Sequence, residues 1–245
     1  MLMESELLPY TTSEIPTGPW LVFAPHPDDE TFGMGGCLLK ARNQQVDTHV
    51  VFITDGALGG DGDDKAALIQ ERINEATLAT SFLGVKTIHF FGEPDRDLQV
   101  CDRLVAKIES LLQELKPQSI FFPTPMEYHP DHRATAELVW QSVQNSLSFT
   151  GSVYAYEIST LAPINLLIDT SEVAEEKYDA VNIYASQLTK AKYLALVQAI
   201  DTARTFSLPI DRIAAEGFFN YADKNLSLEQ QLTQCIPPYF EGVGN

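Results

Sequence analysis

The sequence predicts an α/β protein: a Rossmann-like, mostly parallel sheet with helices on both faces, followed by a C-terminal α+β extension. Three observations carry this. Short apolar, β-branched runs alternate four times with longer helical patterns; Gly, Pro and Asp punctuate the joins; and the pattern becomes less regular after about residue 150. Strands that alternate with helices are joined by crossovers, which makes the sheet parallel and covers both its faces. The 245 residues fit one domain, 1–245, with a core at 19–150 and an extension at 151–245 that completes the substrate pocket.

The first strand is 20–24 (WLVFA), broken by Pro25 and Pro27. A helix follows over 28–44, with Leu38, Leu39 and Ala41 on one side. Residues 46–54 form the second strand, and 55–64, with Gly56, Gly59, Gly60 and Gly62, a loop. The helix at 65–83 stops at Gly84, a suitable C-terminal cap. Residues 87–91 are the third strand, 98–115 a helix ended by Pro117, 119–122 the fourth strand, and 131–143 a helix after a loop. Beyond these, 153–158 and 166–168 read as strands, and 171–184 and 187–204 as helices.

Charge narrows the function classes. With 34 acidic and 16 basic residues the net charge is −18, a field that repels phosphate backbones and anionic bilayers, so neither nucleic acid nor a membrane is expected as a partner. Cys37, Cys101 and Cys235 are too scattered for a disulfide framework or a cysteine zinc knuckle, and read as free thiols. No run approaches the ~18 to 20 apolar residues of a bilayer span. Residues 1–18 carry Glu4, Glu6 and Glu14 in place of a signal-peptide pattern, so a cytoplasmic location is expected.

Two segments carry chemistry, each where a predicted strand ends: Pro25-His26-Pro27-Asp28-Asp29-Glu30 and His129-Pro130-Asp131-His132. In open parallel sheets ligands gather beyond the carboxyl ends of the strands, where strand order reverses. For the order 3-2-1-4 that point lies between the first and fourth strands, so right-handed crossovers bring the segments together. Alone, an Asp-Asp pair is usually a helix cap and a His-Pro pair a turn; both at equivalent strand ends point to a site. His26, Asp29 and His132 would offer two neutral nitrogens and one oxygen to a divalent metal, leaving a fourth position for water, the arrangement of catalytic zinc. Fe2+ is compatible with the same donors. Asp28 remains as a second carboxylate beside that water.

The two segments resemble the signatures of the PIG-L/LmbE-like family of zinc-dependent N-acetylglucosaminyl deacetylases. Thr54-Asp55-Gly56, Arg72 with Glu75, Leu83-Gly84 and Asp95 are supporting matches, and the resemblance spans residues 21–140. Ser186-Gln187 and Glu216 are further candidates. The resemblance implies a hydrolase that removes acetyl from an N-acetylated amino sugar or its conjugate. It also implies His26, Asp29 and His132 as zinc ligands and Asp28 as general base. His129 would stabilise the oxyanion or protonate the leaving amine, with Asp131 orienting it, and Arg72 and Asp95 resemble positions that hold sugar hydroxyls. Tyr128, beside His129, either donates a hydrogen bond to the intermediate or lines the pocket. Two departures bear on substrate choice: Ala57 stands where the family often has Glu, and Tyr184 where a His commonly precedes the Ser-Gln pair.

Gly33-Met34-Gly35-Gly36 lies inside the first helix rather than in the strand-to-helix turn of a dinucleotide fingerprint, so close packing is its expected reason. Asp61, Asp63 and Asp64 lack EF-hand spacing and are expected in a solvated loop. His49 and His89 read as core or surface histidines within strands. Tyr178, Tyr184, Tyr193 and Tyr221 either stack on a sugar or pack the extension. Two rival readings exist. His26, Asp28 and His132 could form the facial triad of a non-haem iron oxygenase, but the many short strands of a double-sheet barrel are missing. A non-catalytic sugar binder would have no use for Asp28.

Overall fold

Parallel pairing of strands at Trp20–Ala24 (β2), Thr48–Thr54 (β3), Thr87–Glu93 (β4) and Ser119–Pro123 (β5) forms the centre of the fold in a computed structural model that describes residues 8–59 and 64–234. Asp61, Asp63 and Cys235 lie outside the described residues. The remaining strands are Thr11–Thr12 (β1), Ser152–Tyr156 (β6), Leu166–Asp169 (β7) and Ala215–Asn220 (β8). All eight join one sheet in the order β1-β7-β8-β6-β5-β2-β3-β4. The order β4-β3-β2-β5 is the predicted 3-2-1-4, and only β8 runs antiparallel to its neighbours, β6 and β7.

Helices Asp29–Asn43 (α1), Lys65–Phe82 (α2), Asp102–Leu115 (α3) and Pro130–Asn145 (α4) alternate with the first strands. The extension adds a 3-10 turn at Ser171–Val173 and helices Ala174–Ile183 (α5), Ala185–Leu188 (α6), Tyr193–Ala203 (α7) and Leu228–Thr233 (α8). Residues 187–204, expected as one helix, are therefore split between α6 and α7. Successive residues of a strand face opposite sides, and β2 uses both. Trp20, Val22 and Ala24 pack in a core with α1, α2, α5 and α7, whereas Leu21 and Phe23 pack with α3, α4 and α8. Continuous apolar runs are what a sheet buried on two faces requires.

α2 ends as its glycine implies. Gly84 takes φ 75°, and the N–H groups of Gly84 and Val85 return to the carbonyls of Ser81 and Thr80, closing a Schellman motif. His49, buried within β3, bonds Thr87 Oγ1 through Nδ1 at 2.6 Å. Cys37 is a buried free thiol and Cys101 a half-buried one. Among the described residues no helix is long and apolar enough to cross a membrane.

α1 is broken at Met34 (φ −147°, ψ 25°), and the break frees backbone donors in a buried place. Glu216 from β8 accepts both: Gly36 N–H to Oε1 and Cys37 N–H to Oε2, each 2.8 Å. Lys177 on α5 completes the cluster, its Nζ 2.7 Å from Asp201 and 2.8 Å from Glu216. Close packing does explain the glycines: a Cβ on Gly33 would stand 2.4 Å from the Tyr156 ring and 2.5 Å from the Glu157 carbonyl. Lys177→Gln leaves two buried carboxylates without their cation, and breaking such a pair costs about 3–5 kcal/mol. The urea unfolding midpoint should fall accordingly; an unchanged midpoint would show that the cluster does not hold α1.

Candidate metal centre

β2 and β5 are neighbours in the sheet, so the two polar segments emerge side by side from their carboxyl ends. The chain enters α1 through Asp28, whose φ of 148° is rare for a residue with a Cβ. Such strain, of order 1–3 kcal/mol, persists only where surrounding bonds enforce it. Here Thr31 and Phe32 donate N–H bonds to the Asp28 carbonyl at 3.1 and 2.9 Å, and Arg72 holds its carboxylate at 2.9 Å.

This turn and the first turn of α4 point three donors at one spot. His26 Nδ1, Asp29 Oδ2 and His132 Nε2 form a triangle with sides of 3.0, 3.3 and 3.3 Å. Ligands at about 2.0–2.2 Å around a tetrahedral zinc stand roughly 3.4 Å apart, so a triangle of this size fits three corners of such a site. All three residues are buried. His26 Nε2 faces the opposite way, 3.1 Å from Asp131 Oδ2 and 3.4 Å from Asp95 Oδ1. A carboxylate on the far nitrogen fixes the tautomer and orientation of a metal-ligating histidine. His132 Nδ1 is buried without a hydrogen bond, its nearest carboxylate being Glu127 at 3.9 Å. Two further sets share His26, one with His129 and His132 and one with Asp95, His129 and Asp131, the donors of each lying within 4.8 Å of one another.

Electrostatics follow from burial and crowding. Burial works against the His26 cation, but hydrogen bonds donated by the ring to Asp131, Asp29 and Asp95 outweigh it and hold the imidazole pKa well above its ordinary value. Burial alone would raise Asp29; His132 and His26 reverse this and hold it far below the carboxylate range. Asp28 is pushed up to about 8 by burial, with Arg72 pulling against the rise and Asp29 adding to it. His129 is lowered by burial and by positive charge on His26 and His132. Its Nδ1 accepts the Asp131 N–H at 3.3 Å, so the neutral ring carries its proton on Nε2.

Three expected partnerships differ. Asp131 meets the His129 ring through its backbone N–H and not through its carboxylate, which is 3.9 Å from Nδ1; backbone N–H groups of Arg96 and Leu98, at 2.7 and 3.4 Å, hold that carboxylate against His26. Arg72 touches the cleft but is buried and committed, donating to Asp28, the Pro27 carbonyl and the Gly56 carbonyl at 2.9 Å each. Tyr128 is 78% exposed and is not part of the cleft wall, because the loop turns its neighbour Glu127 inward instead. Asp95 does line the cleft, accepts the Leu58 N–H at 2.9 Å, and is held at about 2 by its contacts with His26 against the opposing effect of burial.

Sequence reasoning missed Glu127, which accepts the N–H groups of Ile158 and Ser159 at 2.9 Å and so fixes the loop over the site. A lone acid in a Pro-flanked loop gives no signal of that. The departures have structural places. Tyr184 is buried and donates to Glu30 at 2.6 Å; Ala57 donates its N–H to Asp55 at 3.0 Å. Glu75 accepts both the N–H and the hydroxyl of Ser186, at 2.8 and 2.6 Å, which brings Gln187 to the cleft. The cleft is about 190 Å³, with Phe32, Ile158, Tyr193 and Arg96 in its wall. A larger groove of about 770 Å³ lies at the amino ends of β5 and β6 and contains none of these residues.

The fold and cleft define an open α/β protein with a candidate single-metal centre at the switch point of its sheet. Residues 21–143 match the model of the PIG-L family, GlcNAc-PI de-N-acetylase, and the chain belongs to that family. A diacetylchitobiose deacetylase of Thermococcus kodakarensis is 29% identical over 188 residues, 68% of this chain and 69% of that protein. A probable N-acetyl-alpha-D-glucosaminyl L-malate deacetylase 2 of Bacillus anthracis is 27% identical over 182 residues, 68% of this chain and 80% of that one. The solved N,N'-diacetylchitobiose deacetylase of Pyrococcus horikoshii superposes with a TM-score of 0.74 at 26% identity, covering 82% of this chain and 83% of its own. The oxygenase reading is not favoured: Asp28 is tied to Arg72, and the third corner of the triangle is Asp29.

The contact between Asp131 and His26 yields a prediction. Removing a carboxylate behind a ligating histidine typically costs about 10–100-fold in metal affinity. Asp131→Asn should lower zinc affinity by that factor in a chelator-competition titration, with the circular dichroism spectrum retained; unaltered affinity would deny Asp131 this role.

Proposed function

We propose that this protein is a metal-dependent hydrolase that removes the acetyl group from an N-acetylated amino sugar of the N-acetylglucosamine type, or from its conjugate. One observation carries the reading: three buried donors in a triangle of metal-ligand size, with a spare carboxylate beside them, in a chain of the PIG-L family. The names of the three relatives reported above, each a deacetylase of an N-acetylglucosamine-type compound, support the substrate class.

His26, Asp29 and His132 are the proposed ligands and zinc the proposed metal. Bound there, zinc would acidify a water to a pKa of about 7 and polarise the amide carbonyl. Asp28 is the proposed general base. It takes the water's proton as oxygen adds to the acetyl carbon, and Arg72 keeps its carboxylate aimed and favours the ionised form. His129 acts as a neutral donor: its Nε2–H is available to the oxygen on which negative charge grows. When the C–N bond breaks, the proton held by Asp28 passes to the nitrogen, leaving acetate and a free amine. Asp95 forms part of the cleft wall, and we assign it to sugar hydroxyls. A cytoplasmic setting belongs to the same proposal, supported by the free thiols of Cys37 and Cys101.

The test is acetate release from a panel of N-acetylglucosamine conjugates, with and without chelator. Release that stops on chelation and returns with zinc is expected. General-base catalysis contributes about 10²–10⁴-fold, so Asp28→Asn should lose that much of kcat while keeping its metal. Full turnover by Asp28→Asn, or release indifferent to chelator, would overturn the assignment.

A further inference from the structure

Arg96 stands out on charge grounds. The chain holds 34 acidic residues against 16 basic ones; Arg42, Arg72, Arg103, Arg204 and Arg212 each meet a carboxylate, and Arg133 lines a different groove, outside the cleft. Arg96 lies between Asp95 and Asp97 in the chain, is exposed and lines the cleft. Among the described residues, no salt bridge or hydrogen bond engages its guanidinium. Its backbone is fixed all the same: φ is 64°, and the N–H donates to Asp131 at 2.7 Å. An unspent cation is thus anchored beside the carboxylate that holds His26.

The cleft says what this cation meets. At about 190 Å³ it lies below the roughly 300 Å³ at which pockets for drug-sized ligands begin, so it takes a single sugar ring. Anything attached to that ring leaves across the rim. Apart from the buried donors and Arg72, the other residues of the cleft are apolar or neutral, among them Phe32, Ile158, Tyr193 and Gln187. The net field of an acidic chain opposes an anion at long range, so binding one needs a local cation. A guanidinium offers a planar fork that matches carboxylate and phosphate oxygens.

We propose that Arg96 binds an anionic group on the substituent attached to the sugar, so that the substrate class is an anionic conjugate of an N-acetylated amino sugar rather than a neutral one. This rests on the deacetylase reading and narrows it. Arg96 is a specificity residue; it takes no part in the proton transfers.

Three substrates test this with the zinc-loaded enzyme: a neutral methyl glycoside of N-acetylglucosamine, a glycoside with a carboxylate on the attached group, and N-acetylglucosamine 1-phosphate. A charge-assisted contact worth about 1.5–3 kcal/mol corresponds to a preference of roughly tenfold or more in kcat/KM for at least one anion, and which anion gains tells carboxylate from phosphate. Arg96→Asn is the chosen variant, because Asn accepts a left-handed backbone and the N–H to Asp131 is retained. In it the anion-to-neutral ratio should fall towards one, through KM rather than kcat, while Arg96→Lys keeps part of the preference. Equal kcat/KM for all three substrates, or a preference that survives Arg96→Asn, overturns the proposal and leaves the deacetylase reading standing. No acetate from any of them defeats both.

Discussion

One imidazole organises this molecule. His26 presents Nδ1 to Asp29 and His132 and Nε2 to Asp131 and Asp95, all within 3.4 Å. Burying so much charge at one point is unfavourable unless each group is paired, and here acids crowd an imidazole whose pKa they hold well above its ordinary value. A divalent cation in the triangle would supply positive charge to these acids in place of a proton on His26. The crowding therefore makes sense as a ligand set, and the strained turn at Asp28 as the means of aiming it.

The rest of the fold serves that point. Parallel strands deliver the two segments to adjacent strand ends, the first turn of α1 brings Asp29 and Phe32 to the cleft, and Glu216 receives the amides released by the break in that helix. Arg72 is an internal brace more than a hand for the sugar, because its hydrogen bonds run to the loop that carries Asp28 and to Gly56. Glu127 does the same for the loop at Ile158 and Ser159.

Much of this was legible beforehand, for physical reasons. Strands buried on both faces show as continuous apolar runs, so β2, β3 and β5 stood out, as did the glycine stop after α2. β8 did not: its AEGFFN segment holds Gly217, which strands disfavour, and Glu216, which is there for the buried cluster. β1, two residues long at the sheet edge, has no periodicity to read. The donor types were legible because both segments sit at strand ends. Their pairing was not, since it depends on side-chain direction: Asp131 turns to His26 instead of His129, Arg72 turns inward, and Tyr128 turns outward. No spacing rule encodes such rotations.

The most direct test is anomalous scattering at the zinc edge from crystals of the zinc-loaded protein. A single strong peak about 2.0–2.2 Å from His26 Nδ1, Asp29 Oδ2 and His132 Nε2 is the predicted result. A peak on the other side of the His26 ring, among Asp95, His129 and Asp131, or no peak in this cleft, would contradict the account.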